Sequence, residues 1–269
     1  MDPKLIISYR KEGIELEKDR VFDAVETWSE VSYLDPEIDH PEILNESYRK
    51  YDLYHMAKTR DPSLRDLERA EKNNIKTINP YKGARLVDDR YESLKLIEMF
   101  GVKIPKTYYG RHEDIELGYP LVSKPRFEGQ GHLFDILEKP YIGEKLVQEI
   151  INYDESLKIY KVGENNRCIR MVGINPFDRD YTSTEEVKVE SYMEDIVDRI
   201  HQATGLKLFE VDVLQNEEGN FVVDVNSMVG LQNVSDAVDI YNELLWKESK
   251  FGRKKSGFLR NCIRSKDKN

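Results

Sequence analysis

The sequence predicts a mixed α/β fold: a small N-terminal α/β lobe, followed by a larger α+β part made of two subdomains with antiparallel sheets. Two observations predict it. Near the N-terminus, short apolar runs alternate with a helical stretch, the strand-helix-strand order of a parallel layer. Towards the C-terminus, Val- and Phe-rich runs come in adjacent pairs separated by short polar turns carrying Gly, the pattern of antiparallel hairpins. A chain of 269 residues, 39% hydrophobic and 34% charged, is long enough to bury a substantial core.

Taken in order, residues 5–9 are apolar enough for a buried first strand, and 12–31 carry a helical period with a mixed-charge face. Residues 34–41, with Pro36 and Pro41, are expected as loop. A second strand is expected over 50–56, a helix over 64–73 and a third strand over 75–78. The turn residues Asn79, Pro80, Tyr81, Lys82 and Gly83 close the lobe, which is set at 1–79. The next helix starts from Asp88 or Asp89 as N-cap and ends at Phe100, with Leu94, Ile97 and Phe100 on one face and Gly101 in the C′ position. Pro105 prevents its continuation. Strands are expected over 119–124 and 145–151, and a hairpin joins 156–162 to 168–173 through Gly163. A helix over 192–204 buries Ile196, Val197 and Ile200 and stops at Gly205. The larger part is set at 80–246, with subdomains of about 105–150 and 151–246. Beyond it, 247–269 form a tail with nine Lys or Arg against Glu248 and Asp267, read as a solvated or frayed end, with a nucleic-acid or acidic-protein contact as the alternative.

Composition narrows the function. A net charge of -10 argues against affinity for nucleic-acid backbones. Cys168 and Cys262 are too far apart in sequence to form a metal cluster or a disulfide framework, which suits a reducing cytoplasm. No apolar run approaches the length that spans a bilayer, so neither export nor membrane insertion is expected. The scattered His residues belong to no Ser or Cys signature for nucleophilic catalysis. Self-association is not legible.

Chemistry concentrates in a hairpin of residues 209–214 and 221–226. With a three-residue loop over 217–219, Asp212 lies opposite Asp224, Asn226 shares their face, and Val211, Val213, Val223 and Val225 share the other. Opposed acids repel, and an all-oxygen set of Asp212, Asp224 and Asn226 suits Mg²⁺, with Mn²⁺ as an alternative. The other reading is an ordinary hairpin with a solvated polar face. Upstream, Lys124 precedes the turn Glu128, Gly129, Gln130, Gly131, where backbone N–H groups and an ammonium could meet phosphate; a plain turn is the alternative. The segment Gln148, Glu149, Ile150, Ile151 turns abruptly polar and could present backbone to an adenine edge. Lys158 and Arg170 fall on neighbouring antiparallel strands and need an anionic partner: a substrate phosphate or carboxylate, or Glu149 or Glu155.

In this order the pieces resemble the ATP-grasp superfamily over roughly residues 50–235. The resemblance rests on Asp88-Asp89-Arg90 with the helix ending at Gly101, on 119–125 with Glu128 to Gly131, on 147–151, and on Asp212, Asp224 and Asn226. The leading lobe is similar to the domain preceding the grasp in ribosomal-protein glutamate ligases. The Asp-x-Asn form of the metal set, together with 157–164, is equally similar to the inositol trisphosphate kinases. The resemblance implies that Lys124 contacts nucleotide phosphates, that Glu128, Gly129, Gln130 and Gly131 cover them, and that Arg90 stands where relatives usually carry a nucleotide-contacting Lys. It makes Glu149 to Ile151, next to Gln148, the adenine hinge and places Ser156 near the ribose, where Asp154 or Glu155 could supply the acid. Asp212, Asp224 and Asn226 would hold Mg²⁺ against ATP, with Lys158 and Arg170 facing a small-molecule acceptor. The implied activity is a carboxylate–amine ligase using ATP; a polyol-phosphate or other small-molecule kinase and a nucleotide-binding regulator without turnover are the alternatives.

Overall fold

The computed structural model describes residues 2–9, 16–35, 50–57, 61–127, 134–172 and 183–249. In chain order its elements are β1 Lys4–Ser8, α1 Leu16–Glu26, β2 Glu30–Leu34, β3 Leu53–Met56, α2 Asp61–Lys72, β4 Lys76–Thr77, α3 Tyr81–Asp88, α4 Arg90–Met99, β5 Thr107–Gly110, β6 Leu121–Lys124, β7 Asp135–Leu137, β8 Lys145–Glu149, β9 Glu155–Val162, β10 Asn165–Val172, β11 Ser183–Val187, α5 Ser191–Thr204, β12 Leu208–Asn216, β13 Gly219–Asn226 and α6 Ala237–Glu248. They form two compact units, one of residues 1–80, 230–232 and 236–269, the other of 81–229 and 233–235.

The first unit is a parallel sheet in the order β2-β1-β3-β4. Its central strands are apolar without alternation, because a parallel sheet is covered on both faces. Strand β2 replaces the C-terminal end of the helix expected over 12–31. Helix α1 stops at Glu26, Thr27 and Trp28 bond back to Ala24 and Val25, and the chain re-enters the sheet beside β1. Helix α6, which the sequence left unassigned and which lies inside the 80–246 limits drawn from it, groups by its contacts with this first unit. It packs on α1, where Trp28 Nε1 donates to Asn242 Oδ1 at 2.8 Å.

The second unit holds two antiparallel sheets, β5-β8-β6-β7 and β11-β10-β9-β12-β13. One face of the five-stranded sheet is core: Leu157, Ile159, Phe209, Val211, Val213 and Val222 are fully buried, and helix α5 packs beneath β9. Helix α4 begins as expected, with Asp89 as N-cap accepting from the Glu92 amide, and Gly101 follows it at φ 82°. The residues expected to close the lobe as a turn, Tyr81 to Gly83, instead open helix α3. A Gly inside a helix lowers its propensity, and here it is required by packing: a Cβ on Gly83 would lie 2.2 Å from the Thr204 carbonyl oxygen. Short strands β5, β7 and β11 were also unassigned from sequence. The expected strand over 119–124 is shorter, as β6, and that over 145–151 ends at Glu149.

Candidate functional site

The hairpin β12/β13 pairs Asp212 with Asp224 and Glu210 with Asn226. Its loop is two residues long, not three, because Asn216 pairs with Gly219. The acids still face each other because a β-bulge inserts Val223 between the pairs Val213–Val222 and Asp212–Asp224. The bulge corrects one further expectation: Val222, not Val223, joins Val211, Val213 and Val225 in the core. The extra residue's carbonyl is turned to the site, where Lys124 Nζ donates to it at 2.8 Å.

Across β9, β12 and β13, Lys158, Asp212 and Asp224 stand in one row. Lys158 Nζ lies 2.5 Å from Asp212 Oδ1 and 3.2 Å from Glu210 Oε1. Burial alone would push the Lys158 ammonium down, but Asp212 and Glu210 together outweigh it and hold its pKa well above the usual lysine value. Asp224 is met from the other side by Arg90, whose Nε lies 3.3 Å from Oδ1. Arg90 is buried as the first residue of α4, and its Nη1 also donates to the carbonyls of Pro125 at 2.9 Å and Phe127 at 3.2 Å. Lys124, at the end of β6, is drawn down by burial, against the opposing pull of Asp224 and Asp212 and with a further push from Arg90. The repulsion between opposed acids is therefore met by Lys158 and Arg90, so that charge opposition alone does not demand a metal.

The donor chemistry does fit one. Asn226 Oδ1 is buried and accepts no hydrogen bond among the described residues, and buried acceptors are rarely left so; beside it Asp212 Oδ1 faces the Lys158 ammonium. With Asp224 they make an all-oxygen group of the kind Mg²⁺ prefers. No three His, Cys, Asp or Glu side chains gather as a metal cluster among the described residues. A cation here would thus draw on the Asn226 amide and on oxygens from a bound phosphate.

The remaining expected residues divide. Gln148 is buried, and its Nε2 donates to Thr107 Oγ1 at 3.1 Å, so its side chain joins β8 to β5. Glu149 Oε1 accepts from the Lys106 amide at 2.8 Å, and Ile150 and Ile151 follow half-buried on the way to β9. Ser156 is buried on the face of Lys158. Arg170 does not join Lys158: it pairs with Leu157, one residue out of phase, and so lies on the opposite face of the sheet. There it meets Glu155 at 3.4 Å and Glu185 at 3.6 Å. Glu128, Gly129, Gln130 and Gly131 lie outside the described residues, as do 36–49 and the tail from 250.

Two features were missed. Glu210 is the second carboxylate on Lys158, and the period of two that placed Asn226 with Asp224 also places Glu210 with Asp212. Asp89, expected only as a cap, also holds Arg126 in a two-pronged pair, Nε–Oδ1 at 3.0 Å and Nη2–Oδ2 at 2.7 Å. No spacing rule connects residues 89 and 126. The pair fixes the segment that follows β6.

No family model matches the chain. A coenzyme gamma-F420-2:alpha-L-glutamate ligase from Methanocaldococcus jannaschii is 25% identical over 195 residues, 62% of this chain and 67% of that protein. Among solved structures, a RimK domain protein ATP-grasp from Sphaerobacter thermophilus superposes with a TM-score of 0.71 at 16% identity, covering 90% of this chain and 98% of its own. The D-alanine–D-alanine ligase of Bacillus anthracis, complexed with ATP, does so with a TM-score of 0.66 at 14% identity, over 99% of both chains. The chain has the ATP-grasp fold. Among the described residues no helix is long and apolar enough to cross a membrane.

Proposed function

We propose that this chain is an ATP- and Mg²⁺-dependent ligase that joins a carboxylate to an amine through an acyl phosphate. One observation carries the reading: a single face gathers Lys124, Arg90 and Lys158 around Asp212, Asp224 and Asn226, cations and oxygen donors together where phosphoryl charge would develop. The likeness to proteins named as ligases supports carbon–nitrogen bond formation.

In the first step a substrate carboxylate oxygen attacks the γ-phosphorus of ATP, and the bond to the bridging oxygen of ADP breaks. In the second, an amine nitrogen attacks the acyl carbon, the bond to phosphate breaks, and the amine loses a proton. Asp212, Asp224 and Asn226 would hold the divalent ion, which when bound neutralises phosphate charge and fixes its orientation; Mn²⁺ could replace Mg²⁺. Lys124 and Arg90 contribute charge on the phosphate side, and Gln148 to Ile151 with Ser156 border the nucleoside. Lys158 faces the small-molecule acceptor, whereas the position of Arg170 leaves it to Glu155 and Glu185. A reducing compartment suits Cys168, which is buried as a thiol.

The test is trapping by hydroxylamine. The protein is incubated with ATP, Mg²⁺ and a set of candidate carboxylates, with and without hydroxylamine. The expected product is a hydroxamate that requires both ATP and the protein. A stable phosphorylated product with no hydroxamate would overturn the ligase reading in favour of a hydroxyl acceptor.

A further inference from the structure

Each of the two opposed acids is paired with a protein cation, and each of those cations has a second partner outside the metal-binding set. Lys158 touches Asp212 at 2.5 Å and Glu210 at 3.2 Å. Arg90 touches Asp224 at 3.3 Å and the Pro125 and Phe127 carbonyls at 2.9 and 3.2 Å. A half-buried ammonium with one acceptor would be stranded when a metal took that acceptor, and charges stranded away from water are disfavoured. An ammonium with two carboxylates can give up one and keep the other.

We infer that Lys158 is the stand-in counter-ion of the metal site, occupying Asp212 when no divalent ion is bound and retreating onto Glu210 when one arrives. Glu210 is then a positioning residue that acts only through Lys158. A bare divalent ion must displace Lys158 from Asp212 and so binds weakly, and phosphate adds negative charge for both cations, so divalent ion and nucleotide bind cooperatively. The inference rests on Asp212 being a metal ligand, as proposed above.

Mn²⁺ alone is the probe, titrated into the full chain without nucleotide and followed by the loss of its free-ion paramagnetic resonance signal. Removing the competing ammonium in Lys158→Met tightens Mn²⁺ binding, by about tenfold. Glu210→Gln weakens it, because Lys158 loses its second partner and stays on Asp212. The double variant decides between competition and a general field: if Glu210 acts through Lys158, Glu210→Gln has little effect in the Lys158→Met background. A merely structural role for both residues would weaken binding in both single variants. Additive effects, or no tightening in Lys158→Met, would overturn the inference. Asp212→Asn separates its failure from that of the metal assignment, since wild-type-like Mn²⁺ binding in that variant removes the metal site itself.

Discussion

Arg90 offers the sharpest structural test, because one buried guanidinium joins the acid of β13 to the segment that follows β6. In Arg90→Met the side-chain volume is nearly kept while the charge and its donors are lost. Asp224, only 15% exposed, loses its closest cation, and the Pro125 and Phe127 carbonyls lose a donor. Breaking a buried pair costs about 3–5 kcal/mol, and the nearby Lys124 ammonium offsets part of it, so about 3 kcal/mol is expected. For a unit of this size that corresponds to a fall in Tm of about 6–12 °C. Calorimetry at pH 7 with EDTA and no nucleotide measures it. Adding Asp224→Asn to Arg90→Met removes the uncompensated charge and should recover about 1–2 kcal/mol, whereas the same change alone should destabilise. A Tm within about 2 °C of wild type, or no recovery in the double variant, would refute the argument that Arg90 neutralises Asp224.

Gly83→Ala forces a methyl group against the Thr204 carbonyl and should cost about 1–3 kcal/mol, read by the same melting experiment. Asp224→Ala should weaken Mg²⁺-dependent ATP binding by at least about tenfold in titration calorimetry, consistent with loss of a charged ligand; unchanged binding would sink the metal assignment. Burial pushes the Cys168 thiol up to about 12, so it should resist alkylation in the native protein at pH 8, as peptide mapping by mass spectrometry would show. Because the unfolded thiol ionises first, near 9.0, its contribution to stability is full below that pH. Above it the contribution is lost towards about 12, by about 1.4 kcal/mol per pH unit.

The elements that were legible in the sequence are those whose pattern is local. The cap at Asp89, the stop at Gly101 and the pairing of β9 with β10 follow from spacing within one or two elements, whereas the opposition of Asp212 and Asp224, read from a three-residue loop, holds because the bulge at Val223 offsets a loop of two. The elements that were not legible are set by distant partners. Strand β2 exists because β1 offers it an edge, and α3 tolerates Gly83 because Thr204 leaves no room for a side chain. At the site the same division holds. The oxygens proposed to hold the metal could be read from a period of two, but the Arg90–Asp224 link spans 134 residues and the Arg126–Asp89 pair spans 37. Arg170 was misplaced for a simpler reason: without the register of β9 and β10, a one-residue shift exchanges the faces of a strand.

The bulge at Val223 divides the hairpin mechanically. On its outer side the register is set by the tip, where Lys103 bonds the Glu218 carbonyl, lies over the Phe221 ring and accepts at its own carbonyl from the Val222 amide. On its inner side the register is set by β9 and by Lys124 gripping the bulged carbonyl. The extra residue thus acts as a slip joint. Asp212 and Asp224 keep their alignment across it, and the Lys124 ammonium holds the joint in place.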